Sequence, residues 1–280
     1  MSWQDWKAHT LERQFNPRVA LGAKTDDILA IWEAKSQGAR SHLPGQFDIA
    51  YGDHPLMRFD YHPSASDAPV IINIHGGYWR SLDKSAMHHH MADLSRSGFN
   101  TANLNYPLCP EISLTDIVKS LERAVLELIE LVRCDTPDPK FILFGHSAGA
   151  NLAAHLSHHP SLQNRLVGVV ALTGIYETEV VRHITVNGDI GMTQKEAKRW
   201  CVITNLPLVG PQYYIAVGGD EPSGWIDQSW QLADALSKRG EHLKFRVVQA
   251  ANHFDLVDKL CNSDTPDGLQ LHEWMLKLID

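Results

Sequence analysis

A serine flanked by glycines, a histidine near the C-terminus and a pair of carboxylates between them are the residues here that could do chemistry together. Ser147 lies in Gly145-His146-Ser147-Ala148-Gly149, directly after the apolar run Phe141–Phe144. His253 lies in Ala250-Ala251-Asn252-His253-Phe254-Asp255-Leu256, after a predicted strand, and Val217-Gly218-Gly219-Asp220-Glu221-Pro222 precedes it. A serine hydroxyl is too weakly acidic to attack a carbonyl unaided. An imidazole can take its proton and later return it to the leaving group, and a carboxylate fixes the tautomer of that imidazole. The chemistry implied is acyl transfer through a covalent acyl-serine. Ser147 is the expected nucleophile, His253 the general base and Asp220 the orienting acid. Glu221 is the main rival for the acid, and Asp255 a weaker one because it stands so close to the base in sequence.

The spacing of the serine motif has a mechanical reason. A sharp turn from strand to helix holds the serine in a strained conformation above the sheet, and side chains at Gly145 and Gly149 would collide with neighbouring backbone. The helix that starts there aims N–H groups at developing negative charge. His75-Gly76-Gly77-Tyr78-Trp79 follows the apolar run Val70–Ile74. A glycine pair in that place lets backbone N–H groups approach an oxyanion, so Gly76 and Gly77 are expected to share that duty with Ala148. His75 is read as a brace for the loop. Tyr78 and Trp79 could form an aromatic wall for substrate and Arg80 could answer a carboxylate, the alternative being that Trp79 packs the loop into the core.

The chain has 16 histidines, so most serve other ends. His88-His89-His90 invites a metal reading, yet successive helical residues point in different directions and do not readily close one coordination sphere. These three, with His42, His54, His155, His158 and His159, are read as surface or packing residues. Neither metal nor cofactor is expected. The four cysteines form no CxxC pair, which favours free thiols over a disulfide framework or zinc site. A net charge of −8 argues against a broad nucleic-acid or anionic-membrane face. The charged, mixed N-terminus and the absence of a long apolar run fit a cytoplasmic protein that acts on a small molecule, without membrane or nucleic-acid partners. Self-association is possible and the sequence does not determine it.

The elements that must position these residues alternate. Strands are predicted at Phe47–Tyr51, Leu56–Tyr61, Val70–Ile74, Phe99–Leu104, Phe141–Phe144, Val167–Leu172, Tyr213–Val217 and Leu243–Val248. Helices are predicted near Lys84–Ser97, Ser113–Arg133, His146–His158, Ile226–Lys238 and Leu269–Leu278. Such alternation implies an α/β fold with a mostly parallel central sheet and helices on both faces. Residues 1–280 are read as one domain, with an N-terminal helical segment at 1–45. About forty residues lie between Leu172 and Tyr213. A stretch of that length reads better as a small helical insertion over the site, about 175–212 with a helix at Met192–Trp200, than as a bare loop.

Taken together, His-Gly-Gly-Tyr-Trp, Gly-His-Ser-Ala-Gly-Ala, Val-Gly-Gly-Asp-Glu and Asn-His-Phe-Asp-Leu resemble the kynurenine formamidases (arylformamidases) of the α/β-hydrolase fold. Leu11-Glu-Arg-Gln-Phe-Asn-Pro-Arg, Tyr51-Gly-Asp and the stretch Arg58–Pro63 extend the likeness over nearly the whole chain. The resemblance implies hydrolysis of N-formyl-L-kynurenine to kynurenine and formate without metal or organic cofactor. It assigns the triad to Ser147, Asp220 and His253, and oxyanion duty to the Gly76-Gly77 loop. The stretch Tyr176–Pro211 does not match the family residue by residue. Two other readings stay open: a small-molecule carboxylesterase with the same machinery, and a catalytically silent hydrolase scaffold that binds a ligand.

Overall fold

The computed structural model describes residues 3–64 and 68–279. Three helices open the chain: α1 (Ala8–Phe15), α2 (Pro17–Leu21) and α3 (Lys24–Arg40). Strands β1 (Gln46–Ala50), β2 (Arg58–His62) and β3 (Val70–Ile74) follow, then α4 (His88–Arg96), β4 (Asn100–Leu104), α5 (Leu114–Arg133) and β5 (Phe141–His146). Next come α6 (Ala148–Leu156), β6 (Leu166–Leu172), α7 (Asn187–Ile190), α8 (Gln194–Trp200) and β7 (Gln212–Gly218). The chain ends with α9 (Ser223–Lys238), β8 (Leu243–Val248), α10 (Asp255–Cys261) and α11 (Pro266–Leu276). The eight strands form one sheet in the order β1-β2-β4-β3-β5-β6-β7-β8. β2 runs antiparallel to both of its neighbours, and the remaining pairs are parallel.

The apolar strands are continuous runs because both faces of the sheet are covered. Val70, Ile72 and Ile74 point to one face and Ile71 to the other, and Phe141 and Leu143 are likewise separated from Ile142 and Phe144. The first face carries α5, α6 and α9 through residues such as Leu121, Leu152 and Leu236. The second carries α3, α4, α10 and α11 through Trp32, Met91, Leu260 and Leu271. α5 repeats buried side chains at Ile117, Leu121, Leu128 and Val132 and is capped by Ser113, whose Oγ accepts the Asp116 N–H.

All eight predicted strands are present, with ends shifted by a few residues. α10 was not anticipated, since it is short and follows the histidine loop without a strong cap. The 175–212 stretch contains a 3-10 turn at Thr178–His183 with α7 and α8. α8 begins in a capping box between Thr193 and Glu196. Asn151 and His155 of α6 anchor this stretch: the Asn151 amide donates to the carbonyls of Ile175 and Trp200 (2.9 Å each), and His155 Nε2 donates to Trp200 (3.0 Å). No helix among the described residues is long and apolar enough to cross a membrane.

Candidate active site

Ser147 sits between the last residue of β5 and the first of α6 with φ 56° and ψ −121°, a conformation that is costly for a residue bearing a Cβ. The surrounding glycines make the turn possible. A Cβ on Gly145 would lie 2.3 Å from the carbonyl oxygen of Gly149, and one on Gly149 would lie 2.0 Å from that of Ile74. The Ser147 N–H donates to the Leu172 carbonyl at 2.9 Å, which pins the turn to the end of β6. Ala148 opens α6, where the N–H has no carbonyl one turn earlier to bond.

Asp220, the acid expected from sequence, does not meet the histidine. The carboxylate against His253 belongs to Glu221, whose Oε2 accepts from Nδ1 at 2.7 Å. The same oxygen accepts the Thr173 hydroxyl (2.6 Å), and Oε1 accepts the Gly218 N–H (2.8 Å). Glu221 therefore reaches back across its own turn to cap the end of β7, and its carboxylate is fully buried. Asp220 is exposed, and its backbone N–H donates to the Ala251 carbonyl at 3.0 Å. The turn after β7 ends strand alternation, so position in the motif could not say which carboxylate faces inward. The Asp255 carboxylate is held by the Asn252 amide instead.

A carboxylate only accepts, so Nδ1 of His253 carries a proton, and in the neutral ring the lone pair is on Nε2. His253 is 4% exposed and packs against Trp225 (ring centroids 4.5 Å apart) and Phe254 (5.5 Å). Its backbone carbonyl accepts Nε2–H of His146 at 2.7 Å. Burial, with His253 beside it, holds the His146 ring well below the usual imidazole range and therefore neutral.

The glycine loop is braced as expected. His75 stacks on Tyr106 with centroids 4.2 Å apart and meets Asn105 Oδ1 at 3.0 Å. The Tyr106 hydroxyl donates to the His75 carbonyl at 2.8 Å. Gly77 has φ 99°, and a Cβ there would fall 2.0 Å from the Ser81 carbonyl oxygen. Its own carbonyl accepts from the Ser81 N–H (3.0 Å) and hydroxyl (2.9 Å), so the peptide that follows is fixed in orientation. Tyr78 faces the site, its hydroxyl bonded to the Phe15 carbonyl. Trp79 does not share that wall. It is wholly buried in the core, the alternative already open from sequence, and meets the Tyr78 ring edge-on with centroids 6.0 Å apart.

Ser147 and His253 line one narrow cavity of about 50 Å³, with His146, Gly77, Tyr78 and Arg80. A wider groove of about 420 Å³ lies against His253, Glu221 and Trp225 and is lined by Arg13 and Gln14. The roof differs from expectation. Asn16, Pro17, Arg18 and Leu29 of the N-terminal helices cover the Ser147 cavity, while the 175–212 stretch contributes Val186 to it. The two coverings are joined, since Glu12 of α1 accepts the Thr185 N–H at 2.9 Å.

Sequence reasoning missed Thr173, Asn105 and Tyr106, single polar residues at strand ends with no motif to mark them. It also treated three adjacent histidines alike. His88 bonds Asp60 at 2.9 Å, whereas His89 and His90 both meet Asp258 Oδ1, at 3.2 and 2.6 Å. All three are buried because α4 lies between α3 and α10, so the flanks of the helix are covered as well as its inner face.

The BD-FAE family model matches residues 60–196, which include the glycine loop and the serine turn. The kynurenine formamidase of Danio rerio is 26% identical over 98% of this chain and 98% of its own length. That of Salmo salar is 26% identical over 94% of each. A solved structure from Silicibacter sp. tm1040, described as a candidate thioesterase, superposes with a TM-score of 0.81. It is 21% identical and covers 91% of this chain and 97% of its own. With its eight-stranded, mostly parallel sheet and the serine turn between β5 and α6, the chain has the α/β-hydrolase fold, and over nearly its full length it is similar to kynurenine formamidases.

Proposed function

We propose that this protein hydrolyses a small acyl group from an aromatic amine, with N-formyl-L-kynurenine as the substrate that fits best. The observation that carries the proposal is the 2.7 Å bond from His253 Nδ1 to Glu221, beside a serine held at φ 56° on the same cavity. Ser147 Oγ attacks the formyl carbon while its proton passes to His253 Nε2, and the carbonyl oxygen becomes an oxyanion. The N–H of Ala148 and those of the Gly76-Gly77 loop stabilise it. The intermediate collapses as His253 protonates the departing amine, which leaves a formyl-serine. Water, deprotonated by the same imidazole, attacks that ester to release formate. Glu221 stays ionised throughout and stabilises the imidazolium.

A formyl group is the smallest acyl group, and the cavity at Ser147 is narrow. The wider groove beyond His253 offers Trp225 and Arg13 to an aromatic, charged leaving group. The curated relatives of nearly full length are kynurenine formamidases, which supports the substrate class. The test is kcat/KM for N-formylkynurenine against formanilide and short p-nitrophenyl esters. A preference for N-formylkynurenine of at least tenfold over formanilide is expected. Fast ester hydrolysis with negligible formamide cleavage would establish a carboxylesterase instead. Absence of all turnover and of fluorophosphonate labelling at Ser147 would leave a binding scaffold.

A further inference from the structure

On the α3–α4–α10 face, one ring nitrogen each of His89 and His90 and a carboxylate oxygen of Asp258 lie within 4.8 Å of one another. We propose that these three residues bind a divalent transition-metal ion of the zinc type, at a site separate from Ser147 and independent of the hydrolase reading.

The hydrogen-bond pattern around His89 suits a metal ligand. The single proton of the Ser36 hydroxyl goes to the Ala86 carbonyl, 2.8 Å away, which can only accept. The 2.7 Å contact between Ser36 Oγ and His89 Nδ1 must then be filled by the ring's own N–H. With Nδ1–H committed to Ser36, His89 Nε2 meets Asp258 Oδ1 at 3.2 Å through a second ring proton or, in the neutral ring, through a metal ion that takes that proton's place. An outer partner that fixes Nδ1–H and frees Nε2 is the usual support for a metal-bound imidazole, and here Ser36 plays that part. Two imidazole nitrogens and one carboxylate oxygen suit zinc, cobalt or nickel better than calcium or magnesium.

Lys35 Nζ stands 3.3 Å from the other oxygen, Oδ2, and opposes a second cation. Its side chain is half exposed, so it can swing into solvent when an ion enters. Access exists: a surface groove is lined by His89 and Asp258 together with Lys35, His42, Asp93 and Arg96. The His90 Nε2–H that donates to Asp258 Oδ1 at 2.6 Å gives up its proton to solvent when the metal takes its place. The bound ion would clamp α4 to α10, the helix that begins just after His253.

The full chain, made without a histidine tag and stripped with chelator, is to be titrated with Zn²⁺ and with Co²⁺ as a visible-absorbing probe. One equivalent of Zn²⁺ should bind with a Kd of about 1 μM or below and raise Tm by about 5 °C or more at saturating metal. His89→Gln and Asp258→Asn should each weaken binding at least about 100-fold, and Ser36→Ala about 10-fold. His42→Gln and His253→Ala should retain it. The proposal fails if the folded protein takes up no stoichiometric metal. It fails equally if His89→Gln and Asp258→Asn bind as the parent does, which would make any uptake adventitious, or if His253→Ala abolishes it. Should those first two variants not fold, the cobalt spectrum of the parent and of Ser36→Ala decides. An unchanged affinity in Ser36→Ala then counts against the site.

Discussion

Glu221 and His253, separated by more than thirty residues of chain, are joined by a 2.7 Å hydrogen bond in which Oε2 accepts from Nδ1–H. Thr173 donates to that oxygen as well, and the Leu172 carbonyl beside it accepts from Ser147. The end of β6 therefore touches both Glu221 and Ser147. Two neighbouring carboxylates that look alike in sequence thus have unequal surroundings.

Glu221→Gln should lower kcat about 10³- to 10⁴-fold, because the amide leaves the imidazole free to take the wrong tautomer. Asp220→Asn should stay within about threefold of the parent, since that carboxylate is exposed and off the ring. Steady-state kinetics on one substrate ranks the two. The reverse ranking would return the role to Asp220.

Ser147→Gly should abolish turnover yet raise stability by about 1 kcal/mol, because glycine relieves the strained φ of 56°. Urea denaturation followed by circular dichroism reads this directly. A loss of stability would mean that the Ser147 side chain contributes more to the fold than its backbone strain costs.

Gly149→Ala should destabilise by about 3 kcal/mol or more, since the new methyl would meet the Ile74 carbonyl oxygen at 2.0 Å, and both atoms belong to rigid elements. Wild-type thermal stability in the variant would contradict the close approach.

Stability should fall as the pH drops below about 6.5. His75 and His146 are buried neutral, and burial, the largest influence on each, lowers their folded-state pKa below the unfolded value of 6.5. Below 6.5 the unfolded chain takes up protons that the folded chain refuses, so their contribution is complete above that pH and is lost on acidification. The expected loss is on the order of 1 kcal/mol per ring between pH 7 and pH 5. Urea midpoints across this range measure it, and His146→Asn should flatten the profile.

Arg80→Gln should raise KM about tenfold for a carboxylate-bearing formamide and leave kcat for uncharged formanilide within about twofold. Arg80 lines the Ser147 cavity, and its Nε is buried without a partner among the described residues. Equal effects on both substrates would show that its tie to Asp189 serves structure alone.

The alternation of strands and helices was legible because buried parallel strands are uninterrupted apolar runs. The serine turn was legible because its geometry permits few residues at the flanking positions. The histidine could be chosen because it follows a strand. The acid could not be fixed, since the turn after β7 presents Asp220 and Glu221 to different surroundings through backbone bonds that sequence does not display. The roof was misplaced for a related reason. α1 and α2 are short and mixed in character, and only their docking through Tyr78 and Glu12 brings them over the site. Trp32 and Asp258 lie more than two hundred residues apart, and no local pattern tells that His90 meets both.

The bond from the His146 ring to the His253 carbonyl has a mechanical meaning. The ring next to Ser147 grips the main chain of His253. A displacement of the turn after β5 is thereby coupled to the loop ahead of α10. Ser147 and His253 are thus mounted on loops tied to each other rather than on independent ones.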